Sequence, residues 1–364
     1  MTILTPPADP PSWFLCADGG GTSVKVVAVS SDGAAVSGCG GPCNVKGVGP
    51  QKAIEAILLA TLSAFAGAGV PVPASYTGVW LALAGLQNDA DAEAFRPYAC
   101  EAFSFSSHDP ALRITNDGHL LASPCLKNPH VDSTVALVAG TGSVSFAFRK
   151  TAGHVELVGR SGGWGYLLGD EGSAYTVARL AVTRLLADDD LRTSSSFSNP
   201  SSPHPPLLPL FSSLLSHLDV PDAAALIDKT YSDHAPSTSS SFTTSETTRK
   251  LWLAEAARVV VDYGYERGDA VDEPSRAMAL SILEEAMAPL VETVRRLVGT
   301  REVVQPERAV LSLGGGMWKA KGYERLLVDG LKAQGITFAE VKVVESAAEE
   351  GAYSLKAQAE LVLP

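Results

Sequence analysis

Basic residues are scarce: 28 Lys plus Arg against 40 Asp plus Glu leave the 364-residue chain with a net charge of −12. Such a chain repels a polyanionic backbone, which excludes general nucleic-acid binding and attachment to anionic membranes. Any phosphate it holds must be gripped by local groups. Cysteine is sparse too. Cys16, Cys39, Cys43, Cys100 and Cys125 form an odd, scattered set, which argues against a disulfide framework and for reduced thiols. Cys39 and Cys43 are spaced like half of a metal site, but no second pair follows at ligand spacing and His108 stands isolated, so no zinc site is expected. Long apolar runs are missing as well. The best stretch, 53–70, carries Glu55 and two glycines and runs into Pro71 and Pro73, short of the roughly 20 residues a membrane span needs. The first dozen residues, rich in proline and without Lys or Arg, lack the charged and apolar regions of a secretory leader. A cytoplasmic protein is expected.

What remains is a chain 46% hydrophobic, too long for one core and suited to two domains. An apolar run from Trp13, the turn Asp18-Gly19-Gly20-Gly21-Thr22 and the alternating Val24 to Val29 read as strand, glycine-rich turn, strand. The same grammar returns at Val135 to Val138, Ala139-Gly140-Thr141-Gly142-Ser143 and Val144 to Phe148, so the chain contains two similar halves. Between them the pattern predicts a helix over 51–65, a buried strand over 78–84, a helix over 90–99 and a short strand over 112–115. Helical periods follow over 174–186, 247–265 and 276–298. The fold class is therefore α/β. We place the first domain at 1–128, packed by a helix over 346–361, and the second at 129–364. Within the second, residues 192–248 are dense in Ser, Thr and Pro and read as a surface insertion, with room for short helices at the apolar islands 207–218 and 223–227.

Three turns at strand ends carry candidate chemistry. In Asp18 to Thr22 the absent side chains let backbone N–H groups approach an anion, and Thr22 adds a hydroxyl. Gly140-Thr141-Gly142-Ser143 repeats the arrangement, and Gly314-Gly315-Gly316 follows the apolar strand 309–313. No Lys-Ser/Thr follows the glycines as in a P-loop, and the first set leads into a strand rather than the helix of a dinucleotide fold. A glycine-rich turn taken alone is more often just a structural turn, whereas three together favour a nucleotide site. Asp117, at the end of a short strand, is either a proton acceptor or the N-cap of a helix over 118–122. Trp164, between Gly163 and Gly165, is either a core aromatic or a ligand-facing ring. Asp170 is either a bidentate acceptor for adjacent hydroxyls or a helix start.

In order along nearly the whole chain, Asp18 to Thr22, Thr115-Asn116-Asp117, Gly140 to Ser143, Gly162-Gly-Trp-Gly165, Gly169-Asp-Glu-Gly-Ser173 and Gly314 to Gly316 resemble the N-acetylglucosamine kinase branch of the BadF/BadG/BcrA/BcrD ATPase family. The resemblance implies a two-domain actin/hexokinase/Hsp70-like fold, built of duplicated ribonuclease H-like domains, with ATP and an amino sugar in a cleft. It further implies that Asp117 is the general base in transfer to the 6-hydroxyl and that Asp18 holds Mg²⁺ through water. Gly20, Gly21, Thr22, Gly140, Thr141 and Gly142 would bind phosphates, and Gly314, Gly315 and Gly316 the nucleoside. Asn44, Gly85, Gly163, Trp164, Gly165 and Asp170 would meet the sugar. Ala84-Gly85-Leu86 departs from the family's Ser-Gly-Gly, removing a hydroxyl near the sugar or its acyl group. No residue in 247–257 matches the family's adenine contacts.

Glucosamine or N-acetylmuramic acid is the alternative substrate. An iron–sulfur activator ATPase of the same family is disfavoured because every cysteine lies at or before Cys125. A homodimer is the commonest assembly for an enzyme of this kind.

Overall fold

The computed structural model describes residues 11–151, 153–194, 196, 206–232 and 245–362. Residues 1–10 and the serine- and threonine-rich runs 237–241 and 243–244, to which the leader and insertion readings apply, lie outside them. Among the described residues ten strands form two sheets: β1 (Trp13–Gly19), β2 (Val24–Ser30), β3 (Ala35–Gly40), β4 (Gly78–Leu83), β5 (Leu112–Thr115), β6 (Ser133–Ala139), β7 (Ser143–Thr151), β8 (His154–Gly162), β9 (Ala309–Gly314) and β10 (Glu340–Val343). The first sheet runs β3-β2-β1-β4-β5 and the second β10-β9-β6-β7-β8. Read from its other edge, the second is β8-β7-β6-β9-β10, the same order shifted by five strands. The repeat expected from the paired glycine turns is thus a repeat of whole sheets.

The α-helices are α1 (Val45–Val48), α2 (Pro50–Ala68), α3 (Asp89–Phe103), α4 (Ser123–Lys127), α5 (Ala174–Thr193), α6 (Pro209–His217), α7 (Ala223–Tyr231), α8 (Ser245–Glu255), α9 (Ala257–Val261), α10 (Glu273–Val298), α11 (Lys321–Ala333) and α12 (Ala347–Val362). No described helix is long and apolar enough to cross a membrane. The chain divides into two compact units, Met1–Thr134 with Phe148–Leu157 and Val344–Pro364, and Val135–Ala147 with Val158–Val343.

In the first unit, β1 and β4 are buried along almost their whole length, as strands covered on both faces must be. On one face lie α2 and α3, with Ile57, Phe65, Phe95 and Leu81 in the core. Helix α2 starts at Pro50, whose missing N–H costs nothing at that position, and ends at Gly69 in the left-handed conformation. The chain's last helix, α12, packs on β1, β2 and β4. Ser354 Oγ donates to the Ser123 carbonyl at 2.9 Å, and Glu350 pairs with Lys127.

Parallel pairing of β1 with β4 and of β4 with β5 sets Asp18 opposite Ala82 and Ala82 opposite Thr115. The carboxyl ends of three strands therefore reach the same sheet edge, where ligands of such sheets gather.

In the second unit, α10 is N-capped by Asp272 and lays Ala279, Ile282, Leu283, Ala286, Leu290 and Val294 on the core. One expectation is corrected here. Segment 192–248 is not wholly a surface excursion, because Leu210, Phe211 and Leu214 of α6 and Leu226 of α7 are fully buried in that core. Leu210 N also donates to the buried Ser275 hydroxyl. Strands β3 and β10, absent from the sequence reading, each lie at a sheet edge.

Candidate functional site

At the first unit's sheet edge, Asp18 is the penultimate residue of β1 and Asp117 follows β5 by two residues. Burial raises Asp18 to about 6, and the negative charge of Asp117 adds to the rise while Lys25, its antiparallel neighbour, opposes it. Burial likewise raises Asp117, against the lowering effect of the Gly118 amide. The helix cap is Asn116, not Asp117: Asn116 Oδ1 accepts from Gly118 N at 3.0 Å, while its Nδ2 donates to the Leu86 carbonyl at 3.0 Å. Asp117 Oδ1 also accepts from Gly118 N at 3.0 Å, leaving its second oxygen for a ligand.

The turn Gly20-Gly21-Thr22 closes through Gly20 N to Ser23 O at 2.8 Å and anchors Cys43 N on the Gly20 carbonyl at 2.9 Å. Gly21 and Thr22 are exposed. Asn44 caps α1, its Oδ1 accepting from Lys46 N and Gly47 N, and Val45 N bonds the Ala84 carbonyl at 3.0 Å beside Gly85. Capping occupies Asn44 Oδ1 and leaves Nδ2 as the donor a ligand would meet. Asp18, Asn44, Gly85 and Asp117 thus all belong to the first unit.

In the second unit the β6–β7 turn and the 170–173 loop are knit together. Gly140 N donates to Gly142 O at 2.9 Å, and Ala174 N to Gly140 O at 2.8 Å. Three successive carbonyls are each taken by a different element: Asp170 O by Thr176 Oγ1 at 2.9 Å, Glu171 O by Ser143 Oγ at 2.7 Å and Gly172 O by Tyr323 Oη at 2.8 Å. Asp170 is held at φ 59°, left-handed backbone that Asp tolerates better than most residues. Its side chain is 6% exposed and pairs with Lys250 Nζ at 2.9 Å. At Gly142 a Cβ would lie 2.6 Å from Asp170 Oδ2, so only glycine lets the carboxylate press against the turn. Trp164, by contrast, is 61% exposed, which removes the core-aromatic reading. Arg160 Nη2 fixes its neighbour by donating to Gly163 O at 2.9 Å. Trp164 and Asp170 line a cavity of about 180 Å³ with Ser143, Thr293 and Arg296, and Gly165 sits in the same loop.

A larger cavity, of about 400 Å³, runs from Ala174 and Gly316 to Glu255, Arg258 and Asp262. It begins at the residue bonded to Gly140 and is walled by α8, α9 and the turn after Gly314-Gly315, a volume suited to a nucleoside. The sequence assigned Gly316 but left the α8 and α9 part of this wall unassigned. Its signal was weak: the lining positions on α8 and α9, Ala254, Glu255, Ala257, Arg258 and Val261, form no motif, and Lys250 lies 80 residues beyond its partner Asp170 in a segment of serine and threonine.

No group of three or more His, Cys, Asp or Glu poised to hold a metal ion is present among the described residues. Asp18 nevertheless fits Mg²⁺, which takes one or two carboxylates and completes its shell with water and phosphate oxygens. A divalent cation beside Asp18 would offset both the burial and the Asp117 charge that raise it.

The BadF/BadG/BcrA/BcrD ATPase family model matches residues 17–267. Over 49% of this chain and 55% of its own length, an N-acetyl-D-glucosamine kinase from Dictyostelium discoideum is 29% identical. An N-acetylmuramic acid/N-acetylglucosamine kinase from Clostridium acetobutylicum is 26% identical over 58% of this chain and 56% of its own. The chain therefore spans a little over half the length of the curated relatives it matches. Among solved structures, one from Porphyromonas gingivalis named as an N-acetylglucosamine kinase aligns with a TM-score of 0.60 at 17% identity, covering 95% of this chain and 99% of that one. Another, from Chromobacterium violaceum and similarly named, gives 0.55 at 21%, covering 94% and 99%. These likenesses establish the actin/hexokinase-like fold. With two sheets of one order, glycine turns at matching strand ends and a family match over more than half its length, the chain belongs to the BadF/BadG/BcrA/BcrD ATPase family.

Proposed function

We propose that the protein is an ATP-dependent amino-sugar kinase that phosphorylates N-acetylglucosamine on its 6-hydroxyl. The observation that carries the reading is the continuous track in the second unit from the β6–β7 turn, past Ala174 and Gly316, into the nucleoside-sized cavity. Along it Gly140, Thr141 and Gly142 receive phosphates, and Gly314 to Gly316 border the nucleoside. Gly20, Gly21 and Thr22 supply a second set of amides and a hydroxyl. Asn44, Gly85, Gly163, Trp164, Gly165 and Asp170 recognise the sugar, with Asp170 accepting from hydroxyls and Trp164 offering a ring face.

Phosphoryl transfer asks little covalent chemistry of a protein; it asks for position and charge compensation. Asp117 takes the proton of the attacking hydroxyl. Its half-buried carboxyl, raised by desolvation, binds a proton more readily than an exposed one. Mg²⁺, held by Asp18 through water, would supply charge compensation for the phosphates when bound.

The related curated kinase that accepts N-acetylmuramic acid keeps that sugar, and glucosamine, in the test panel. An assay of ADP release with each of the three sugars checks the reading, and phosphorus NMR of the product locates the phosphate. Sugar-stimulated turnover with N-acetylglucosamine is expected; absence of stimulation by all three refutes it.

A further inference from the structure

The phosphate-binding turn of the second unit has no cation of its own. From Ala139 to Phe148 the chain carries neither Lys nor Arg, in a protein whose net charge opposes a nucleoside triphosphate. An ammonium is instead brought by α8, on Lys250. Lys250 Nζ lies 2.9 Å from Asp170 Oδ2, the same oxygen that presses against Gly142, so turn and ammonium share one carboxylate oxygen as neighbour. Further along, α8 and α9 wall the nucleoside-sized cavity through Ala254, Glu255, Ala257 and Arg258. One segment thus borders the nucleoside at one end and carries a cation at the phosphate end.

The Asp170 backbone is anchored, because the carbonyls of residues 170, 171 and 172 are each hydrogen-bonded to a different element. The lysine is not. Its stem is a flexible four-carbon chain, its side chain is 22% exposed against 6% for Asp170, and beyond the ion pair its ammonium has a Tyr166 ring 5.4 Å away. A lysine is a compact point charge able to exchange one anion for another without the fixed geometry an arginine fork requires.

Resting on the kinase reading, we infer that Lys250 changes partner during the reaction cycle: without nucleotide it neutralises Asp170, and with nucleotide it moves to the β- and γ-phosphates, freeing the Asp170 carboxylate to accept sugar hydroxyls. The exchange couples the two substrates. Nucleotide binding removes the competitor for Asp170, so sugar binds more tightly once nucleotide is present, and by reciprocity sugar tightens nucleotide.

Calorimetric titration of N-acetylglucosamine with and without a non-hydrolysable ATP analogue and Mg²⁺ tests it. In the native protein the analogue should tighten sugar binding by about 5- to 150-fold, the usual span of such couplings. Lys250→Met should bring that ratio to within about twofold of unity and raise the KM for ATP more than it lowers kcat, while Lys250→Arg restores part of the coupling. Lys250→Met leaves Asp170 buried without a partner, so Lys250→Met/Asp170→Asn is compared with Asp170→Asn alone: the double variant should still bind the analogue at least about tenfold more weakly, consistent with loss of one charge-assisted contact. Native protein that binds both ligands without coupling, or Lys250→Met that keeps the coupling, overturns this inference and leaves the kinase reading standing. Native protein that binds neither ligand overturns both.

Discussion

Asp18 and Asp117 are mutually repelling carboxyls: the charge of Asp117 adds to burial in raising Asp18 to about 6. The folded chain therefore holds the Asp18 proton more tightly than an unfolded chain does, whose carboxyl titrates near 3.8. The resulting stabilisation is complete below the unfolded value and is lost as pH rises through about 6. Without Mg²⁺, thermal stability should fall across that window, and Asp18→Asn should flatten the fall when melting temperature is followed from pH 4 to 7.

Turnover should move the other way. In the proposed mechanism, charge compensation through Asp18 and proton acceptance by Asp117 both need ionised carboxylates, so kcat/KM should rise with pH through about 6. Saturating Mg²⁺ favours the ionised form and should shift that rise to lower pH. A profile insensitive to Mg²⁺ would remove Asp18 from the metal role.

Asn116 and Asp117, adjacent in sequence, should separate cleanly by mutation. Asn116 is the cap and ties the turn to the Leu86 carbonyl, so Asn116→Ala should lose roughly 0.5–2 kcal/mol of stability in a denaturant titration. Asp117→Asn removes a half-buried carboxyl that desolvation makes costly to ionise, so stability should hold. Its kcat should fall by about 10²- to 10⁴-fold, the usual effect of losing a general base, with nucleotide affinity nearly unchanged.

Much of this arrangement is legible in the sequence because glycine turns sit where strands end, and strand ends place chemistry. The apolar runs of β1, β4, β6 and β9 stand out since both of their faces are covered. By contrast, β3 and β10 hide: Ala35–Gly40 carries two glycines, and Glu340–Val343 is four residues of alternating charge and valine. Lys250 is invisible for another reason. Nothing local distinguishes it from a solvated helix lysine, and only the fold carries it back across 80 residues to Asp170. The cap at Asn116 is a matter of one residue's backbone angle, φ −65° and ψ 148°, which pattern alone does not resolve.

Helix α6 should behave as core although it lies in a segment of low-complexity composition. Leu214 is fully buried with Phe211 and Leu210, so Leu214→Ala should destabilise the protein by about 2–5 kcal/mol, as buried leucine truncations do. Exposed Ile227 of neighbouring α7 serves as control, and its alanine variant should stay within roughly 0.5 kcal/mol. Equal effects at the two positions in urea titrations would return the segment to the surface.

Gly316 gives the most selective probe of the nucleoside-sized cavity. It lines that cavity, and a Cβ added to it meets no atom within 4 Å. The small 3₁₀ turn Gly316–Lys319 is preceded by Gly315 at φ 101°, so the special backbone angle belongs to its neighbour and Gly316 itself has no such demand. Gly316→Val should therefore fold normally and project its methyl groups into the cavity. The KM for ATP should rise by at least about tenfold, equivalent to roughly 1.4 kcal/mol of lost binding, while the KM for the sugar, whose proposed contacts lie elsewhere, stays within about twofold. A variant that melts like the native protein yet keeps its KM for ATP would place the nucleoside outside this cavity.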